Sequence, residues 1–192
     1  MAQPDLRGVS TRPVVIVLAA GRGERFRQAG GAHDKLLAPL GPQRVRDHVV
    51  AAAQASGLPW HVVEPAHTAH LPEQGMGASI ATGVAATPDA PGWLVLPGDL
   101  PLVQPQSLRA VAAALSDHTV VLPMVDGQRG HPVGFGHACR EALLALRGEQ
   151  GARALLQQHT MHTVALADAG CILDVDTPEL LRRVQAMALA GG

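Results

Sequence analysis

The run Val14-Val15-Ile16-Val17-Leu18-Ala19-Ala20, which ends on Gly21-Arg22-Gly23, constrains the fold more than any other stretch of the chain. It is apolar throughout, rich in β-branched side chains and without polar alternation. Such a run reads as a short strand covered on both faces, the kind that parallel sheets contain. Further strands are expected at Trp60–Glu64, Trp93–Leu96, Thr119–Pro123, Val133–Phe135 and His162–Leu166. Helical stripes alternate with them. Val45–Ser56 carries Val45, Val49 and Ala52 on one side, with Gly57 past its end. Gln106–Leu115 repeats the pattern through Leu108, Val111, Ala112 and Leu115, and Ala138–Leu146 and Ala152–Gln158 read as helices too. In Thr177–Leu189, Thr177 is placed to cap the helix and Pro178 to open it. Strands alternating with helices predict an α/β fold with a mostly parallel sheet. Gly21–Lys35 reads as a polar loop, and Gly75–Thr87 as a glycine-bearing loop running into an Ala-rich helix. A length of 192 residues suits one domain, expected at 13–192 after a lead-in at 1–12.

Composition narrows the function. Aromatic residues make up 2% and tyrosine is absent, so rings for stacking bases are scarce. A net charge of −1 offers no cationic excess against a polyphosphate backbone. Both disfavour nucleic acid and leave a small anionic ligand as the alternative. No apolar run approaches a membrane span, and the N-terminal residues lack the apolar stretch of a signal peptide, so a cytoplasmic protein is expected. Cys139 and Cys171 make no metal spacing; one disulfide or two reduced thiols fit, the thiols being simpler. The pairs His67/His70 and His159/His162 lack the further ligands of a structural zinc site.

Open α/β sheets bind ligands outside the carboxyl ends of their strands. That rule puts Gly21–Lys35, Gly75–Ser79, Gly98–Asp99 and Asp174–Asp176 on one rim. The first loop fails the dinucleotide fingerprint, because Phe26 stands where a third glycine is needed, and no stretch matches a Walker A loop. Two readings remain. In one, Gly21 and Gly23 let backbone N–H groups approach phosphates while Arg22, Arg25 and Lys35 supply positive charge. In the other it is a plain strand-to-helix loop with solvated arginines.

Taken together, the segments resemble the MobA-like nucleotidyltransferases, closest to the branch of molybdenum-cofactor cytidylyltransferases. The signature loop is Leu18-Ala19-Ala20-Gly21-x-Gly23-x-Arg25-Phe26, followed by Lys35-Leu36. In order come Gly75-Met76-Gly77-Ala78-Ser79-Ile80, Pro97-Gly98-Asp99-Leu100-Pro101-Leu102, Arg129-Gly130-His131-Pro132-Val133 and Asp174-Val175-Asp176-Thr177-Pro178. Gly148-Glu149-Gln150-Gly151-Ala152-Arg153 resembles the family's L-x-G-D-x-G-A-R stretch, with Glu for Asp. Two departures stand out. Gly30-Gly31-Ala32 lengthens the first loop, and Trp60–Gln74 fills a space where the family has one more strand and helix.

The resemblance implies a three-layer, Rossmann-like nucleotidyltransferase fold with a mixed, mostly parallel sheet. It implies CTP as substrate and Mg²⁺, or Mn²⁺, as cofactor. Asp99 and Asp176 would hold the metal, although Asp99 also fits a helix cap and Asp176 a charge partner of the last helix. Asp174 is the lesser candidate. Arg25, Lys35 and Asp99 would carry catalysis. Leu18, Ala19, Ala20, Gly21, Gly23, Gly75, Gly77, Ser79 and Gly98 would hold the nucleotide. Arg129, Gly130 and His131 would face the acceptor or form a strand-edge turn. The acceptor implied is a molybdopterin-type cofactor, with a molybdenum hydroxylase as client. Ala20 stands where the guanylyl branch tends to have glycine, which favours cytosine. The alternatives are a guanylyltransferase, an enzyme acting on a sugar or polyol phosphate, and a non-catalytic maturation chaperone.

Overall fold

A computed structural model describes residues 11–190 apart from 22 and 33, with the side chains of 189 and 190 also outside the description. Most of the expected lead-in, together with the expected phosphate contact Arg22, therefore lies outside the described residues.

The first strand, β1 (Val14–Leu18), is flanked by β4 (Trp60–Val63) and β5 (Gly92–Pro97), both parallel to it. Next comes β8 (Val133–Gly136), antiparallel to β5, and then β6 (Val120–Val125), antiparallel to β8. The last strand, β9 (Met161–Ala165), runs parallel to β6, and β7 (Gln128–Arg129) makes a tight hairpin on it. The sheet is thus mixed and mostly parallel: β1, β4, β5, β6 and β9 point one way, β7 and β8 the other. A separate hairpin joins β2 (Pro39–Leu40) to β3 (Gln43–Arg44).

Strand alternation divides the core. Val15, Val17, Leu94 and Leu96 face α2 (Val45–Ala55) and α5 (Pro105–Ala114), while Val14, Ile16, Trp93 and Val95 face α4 (Met76–Ala85), α6 (Arg140–Leu144) and α7 (Arg153–Gln158). Burying a large aliphatic side chain is worth about 1.5–3 kcal/mol, so two filled faces hold the sheet between helical layers. Trp93 is fully buried, and its indole N–H donates to Thr87 Oγ1 at 2.9 Å, which satisfies the ring's one polar atom.

Several boundaries differ from the sequence expectation. β1 stops at Leu18, two residues early, although Ala19 N–H still donates to Val63 O of β4 at 2.9 Å. The expected polar loop contains α1 (Glu24–Gln28) and a 3₁₀ turn at Lys35–Leu37. The cause is a third small core, in which Phe26 packs with Leu40, Val45, Val175 and Val184. That anchoring ties the first loop to α8 (Pro178–Ala190) and explains why a phenylalanine stands where a dinucleotide loop would need glycine. Gly75–Ser79 is the first turn of α4 rather than a loop. The expected helix Ala138–Leu146 is a 3₁₀ turn followed by the shorter α6, and a one-turn helix, α3 (Pro65–Thr68), follows β4. Thr177 does cap α8, accepting from Leu180 N at 3.2 Å. Cys139 and Cys171 are free, buried thiols.

Candidate active site

The carboxyl ends of β1 and β5 open onto a cleft of about 900 Å³. The rim rule brings the expected segments together there. Leu18, Ala20, Gly21, Gly23, Arg25, Lys35, Gly75, Ser79, Gly98, Asp99 and Asp176 all line it. Arg129 and His131 line it as well, for a different topological reason. β8 is antiparallel, so its beginning, not its end, reaches the rim.

The floor is charged. β5 ends at Pro97, and Gly98 N then donates to Leu18 O at 2.9 Å, which holds the next residue against the end of β1. Asp99 is therefore buried at the rim, and its backbone carbonyl accepts from Val175 N at 2.9 Å. It caps no helix, since a turn follows it. Lys35 Nζ lies 2.5 Å from Asp99 Oδ2 and 2.5 Å from Asp176 Oδ1. Arg25 Nη1 reaches Asp176 Oδ2 at 3.2 Å, from a side chain that is 83% exposed. Burial alone would lower the Lys35 pKa, but the two carboxylates outweigh it and hold the ammonium above its usual range. Burial likewise opposes ionisation of Asp176, yet Lys35 and then Arg25 keep its carboxyl below the usual carboxylate range. Asp174 goes the other way: burial first, then Asp176 and Asp99, push it up.

These groups fit a divalent cation. Carboxylate oxygens of Asp99, Asp174 and Asp176 lie within 4.8 Å of one another, and Asp99 Oδ1 is buried with no hydrogen-bond partner. Hard oxygen donors of this kind suit Mg²⁺ or Mn²⁺. Lys35 sits among them as the ligand-free counter-charge. The histidine pairs contribute to no such group among the described residues; His67 instead stacks on His61 and accepts from Glu64 N.

The opposite wall is built from backbone. The N–H of Gly77 donates to Gly148 O at 2.9 Å. A Cβ on Gly75 would collide with the Gly148 carbonyl, and one on Gly77 with the carbonyl oxygens of Gln150 and Arg147. The two glycines thus allow a close approach, but it is that of the chain's own 147–150 segment. Gly77 itself does not line the cleft. Ser79 does, while its hydroxyl donates back to Gly75 O at 2.9 Å.

Two more expected site residues are turned away. Ala19 is buried in the core by strand alternation. Gly130 packs against Cys171 and Ile172 and donates its N–H to Pro123 O at 2.9 Å. Sequence reasoning passed over Gln74, Met76, Glu149, Cys171 and Ile172, all of which line the cleft. Met76 and Glu149 lie inside segments that carry the family resemblance, which was the available signal. Cys171 is not a nucleophile: burial, then the neighbouring Asp168, push its thiol up to about 12. His131 is kept neutral by burial, and its main-chain N–H donates to Cys171 O at 2.8 Å.

Comparison with known proteins agrees with this architecture. The chain is 33% identical over 150 residues to the bifunctional protein GlmU of Alkalilimnicola ehrlichii, an alignment covering 70% of this chain and 31% of that one. It thus spans about a third of the length of that relative. It is 28% identical over 193 residues to the purine catabolism protein PucB of Bacillus subtilis, covering 85% of this chain and 91% of PucB. Among solved structures, a nucleotidyl transferase from Methanothermobacter thermautotroptrophicus superposes with a TM-score of 0.79 at 20% identity, covering 95% of this chain and all of that one, which establishes a shared fold. No helix among the described residues is long and apolar enough to cross a membrane. Residues 15–164 match the MobA-like NTP transferase domain, and with most of the chain inside that match, the protein belongs to the MobA-like NTP transferase family.

Proposed function

We propose that the chain is a divalent-metal-dependent nucleotidyltransferase that transfers CMP from CTP to the terminal phosphate of a molybdopterin-type cofactor, releasing pyrophosphate. The observation that carries this reading is the Lys35 bridge between Asp99 and Asp176 at the strand ends, beside a partnerless Asp99 Oδ1. Three carboxylates against Lys35 and Arg25 leave the floor negative, which is hostile to a triphosphate until a cation is added. Asp99 and Asp176, with Asp174 beside them, would hold Mg²⁺ or Mn²⁺, which when bound neutralises phosphate charge and templates its oxygens.

The protein's own share follows from position. With a cation held by the carboxylates, Lys35 and Arg25 would be free to face phosphates in the same cleft. Gly21 and Gly23 keep the loop low enough for those phosphates to approach; Gly23 has φ 59°, a left-handed backbone that favours glycine. Arg129 is exposed on the far side of the cleft, where a guanidinium clamps an acceptor phosphate. That phosphate is already ionised at neutral pH, so attack on the α-phosphorus needs no general base. A neutral, half-buried His131 and a thiol at Cys171 are consistent with catalysis by positioning and charge neutralisation.

The methyl of Ala20 supports cytosine over guanine, because it lines the cleft where the guanylyl branch has only hydrogen. A relative named for purine catabolism aligns along most of its length, and the client we propose is a molybdenum hydroxylase.

The test is pyrophosphate release with Mg²⁺ from CTP, GTP, ATP and UTP, each with a molybdopterin-type acceptor and with sugar and polyol phosphates. CTP with the pterin acceptor is expected to turn over fastest. Turnover with another pair reassigns the substrate. Tight cofactor binding without release from any triphosphate overturns the enzyme in favour of a chaperone.

A further inference from the structure

Among the described residues, two buried side-chain polar atoms have no hydrogen-bond partner: Asp99 Oδ1 and His131 Nδ1. Both residues line the same cleft. The strand register explains their proximity. Val95 of β5 lies opposite Val133 of β8, and both point into the α4–α6 face of the core. His131 lies two residues before the start of β8 and Asp99 two residues after the end of β5, so the paired strands bring both to one end of the sheet, close enough for Asp99 to act on the charge of His131.

The imidazole's tautomer is fixed by its other edge. The ring bonds to the backbone carbonyl of Val95. A carbonyl only accepts, and Nδ1 has no partner, so the donor is Nε2–H. Nδ1 is left as a lone pair. Asp99 Oδ1 is an acceptor too, so the two atoms cannot bond to each other. One small molecule that donates twice satisfies both.

We propose that a water molecule donates one hydrogen to His131 Nδ1 and the other to Asp99 Oδ1, making His131 a positioning residue for Asp99. The bridge fixes the rotation of the carboxylate, so that Oδ2 stays aimed at Lys35 and the group stays set for the cation it would hold. Sequence reasoning set His131 on the acceptor side; the bridge would give it a part on the metal side. The proposal rests on the metal site described above and adds an outer partner to it.

The experiment is Mn²⁺ binding to the full chain, followed by electron paramagnetic resonance, in wild type and in Asp99→Ala, His131→Ala and His131→Asn. Loss of an outer-shell partner of this kind weakens metal binding about 10–100-fold. His131→Ala is expected to fall in that range, and His131→Asn, which keeps an acceptor near the Nδ1 position, to recover most of the loss. The Mn²⁺ spin echo is expected to carry no directly bound ring nitrogen. A nitrogen coupling would make His131 a ligand and overturn the positioning role. So would wild-type Mn²⁺ affinity in His131→Ala with a raised KM for the acceptor. Thermal unfolding of each variant reports whether it folds, and His131→Asn carries the test if His131→Ala does not. Mn²⁺ binding that survives Asp99→Ala would remove the metal site itself, a separate failure from that of His131.

Discussion

Asp99, Lys35, Arg25 and Asp176 come from three separate stretches of chain and meet on the cleft floor through ion pairs. Across from them, Gly75 and Gly77 meet the 147–150 segment mainly through backbone contact, with the Glu149 side chain also against Gly75. The floor is a balance of like and unlike charges that a ligand can redistribute. The wall is a steric fit that a ligand leaves as it is. Substitutions on the floor should therefore change chemistry and pH dependence while sparing the fold, and substitutions in the wall should do the reverse.

The largest expected effect is on the floor. Asp99→Ala should reduce metal-dependent pyrophosphate release by roughly 10²–10³-fold, the range for removing one group that stabilises transition-state charge. Its unfolding midpoint should stay close to that of the wild type. A variant with near-normal turnover would remove Asp99 from the metal site and dissolve the contrast.

Gly77→Ala is the matching test of the wall. Its methyl would collide with two backbone carbonyls that cannot swing aside. Overpacking of this kind costs about 1–3 kcal/mol, read by urea unfolding. Unchanged stability with a selective loss of nucleotide affinity would show that the glycine serves the ligand after all.

The pH dependence of stability sharpens the floor. Asp176 is held below the usual carboxylate range, so its contribution is present above that range and lost as pH falls through its lowered value. Lys35 is held above the usual lysine range. Its contribution is present below that range and lost as pH rises through the raised value. Asp174, pushed up, opposes Asp176 in acid, because its contribution is lost as pH rises. Metal-free protein should thus lose stability at both extremes, and Asp176→Asn should flatten the acid limb. An unaltered acid limb would show that the ion pair carries no stability.

The smallest effect belongs to Arg25. Its side chain is mostly exposed, and such a pair contributes about 0–1 kcal/mol. Arg25→Ala should barely move the unfolding midpoint while raising the KM for the triphosphate. A drop in stability as large as that of Gly77→Ala would make Arg25 structural.

The contrast also explains what could be read in advance. The floor was legible because charged residues at strand ends announce themselves: Asp99 after the Trp93–Leu96 run and Lys35 after the glycine loop were visible as residue types. The wall was half legible. Gly75 and Gly77 stood out, but the partner of their close approach lies about 70 residues away, and no local pattern ties Gly148 to Gly77. The inward turn of Ala19 was hidden for a related reason. A continuous apolar run hides which of its residues turns inward once the strand ends.

Apolar runs and helical stripes by themselves determined the α/β layering, since burying them leaves few other arrangements. The ordered motifs determined the family. Tertiary structure alone decided the rest: that β8 runs antiparallel and so brings Arg129 and His131 to the rim by its amino end, that Phe26 anchors the first loop to the last helix, and that Lys35 stands between Asp99 and Asp176. Each of these depends on contacts between residues far apart in the chain. Local preference fixes the elements, while strand direction, side-chain reach and charge balance are set only when distant elements are packed against one another.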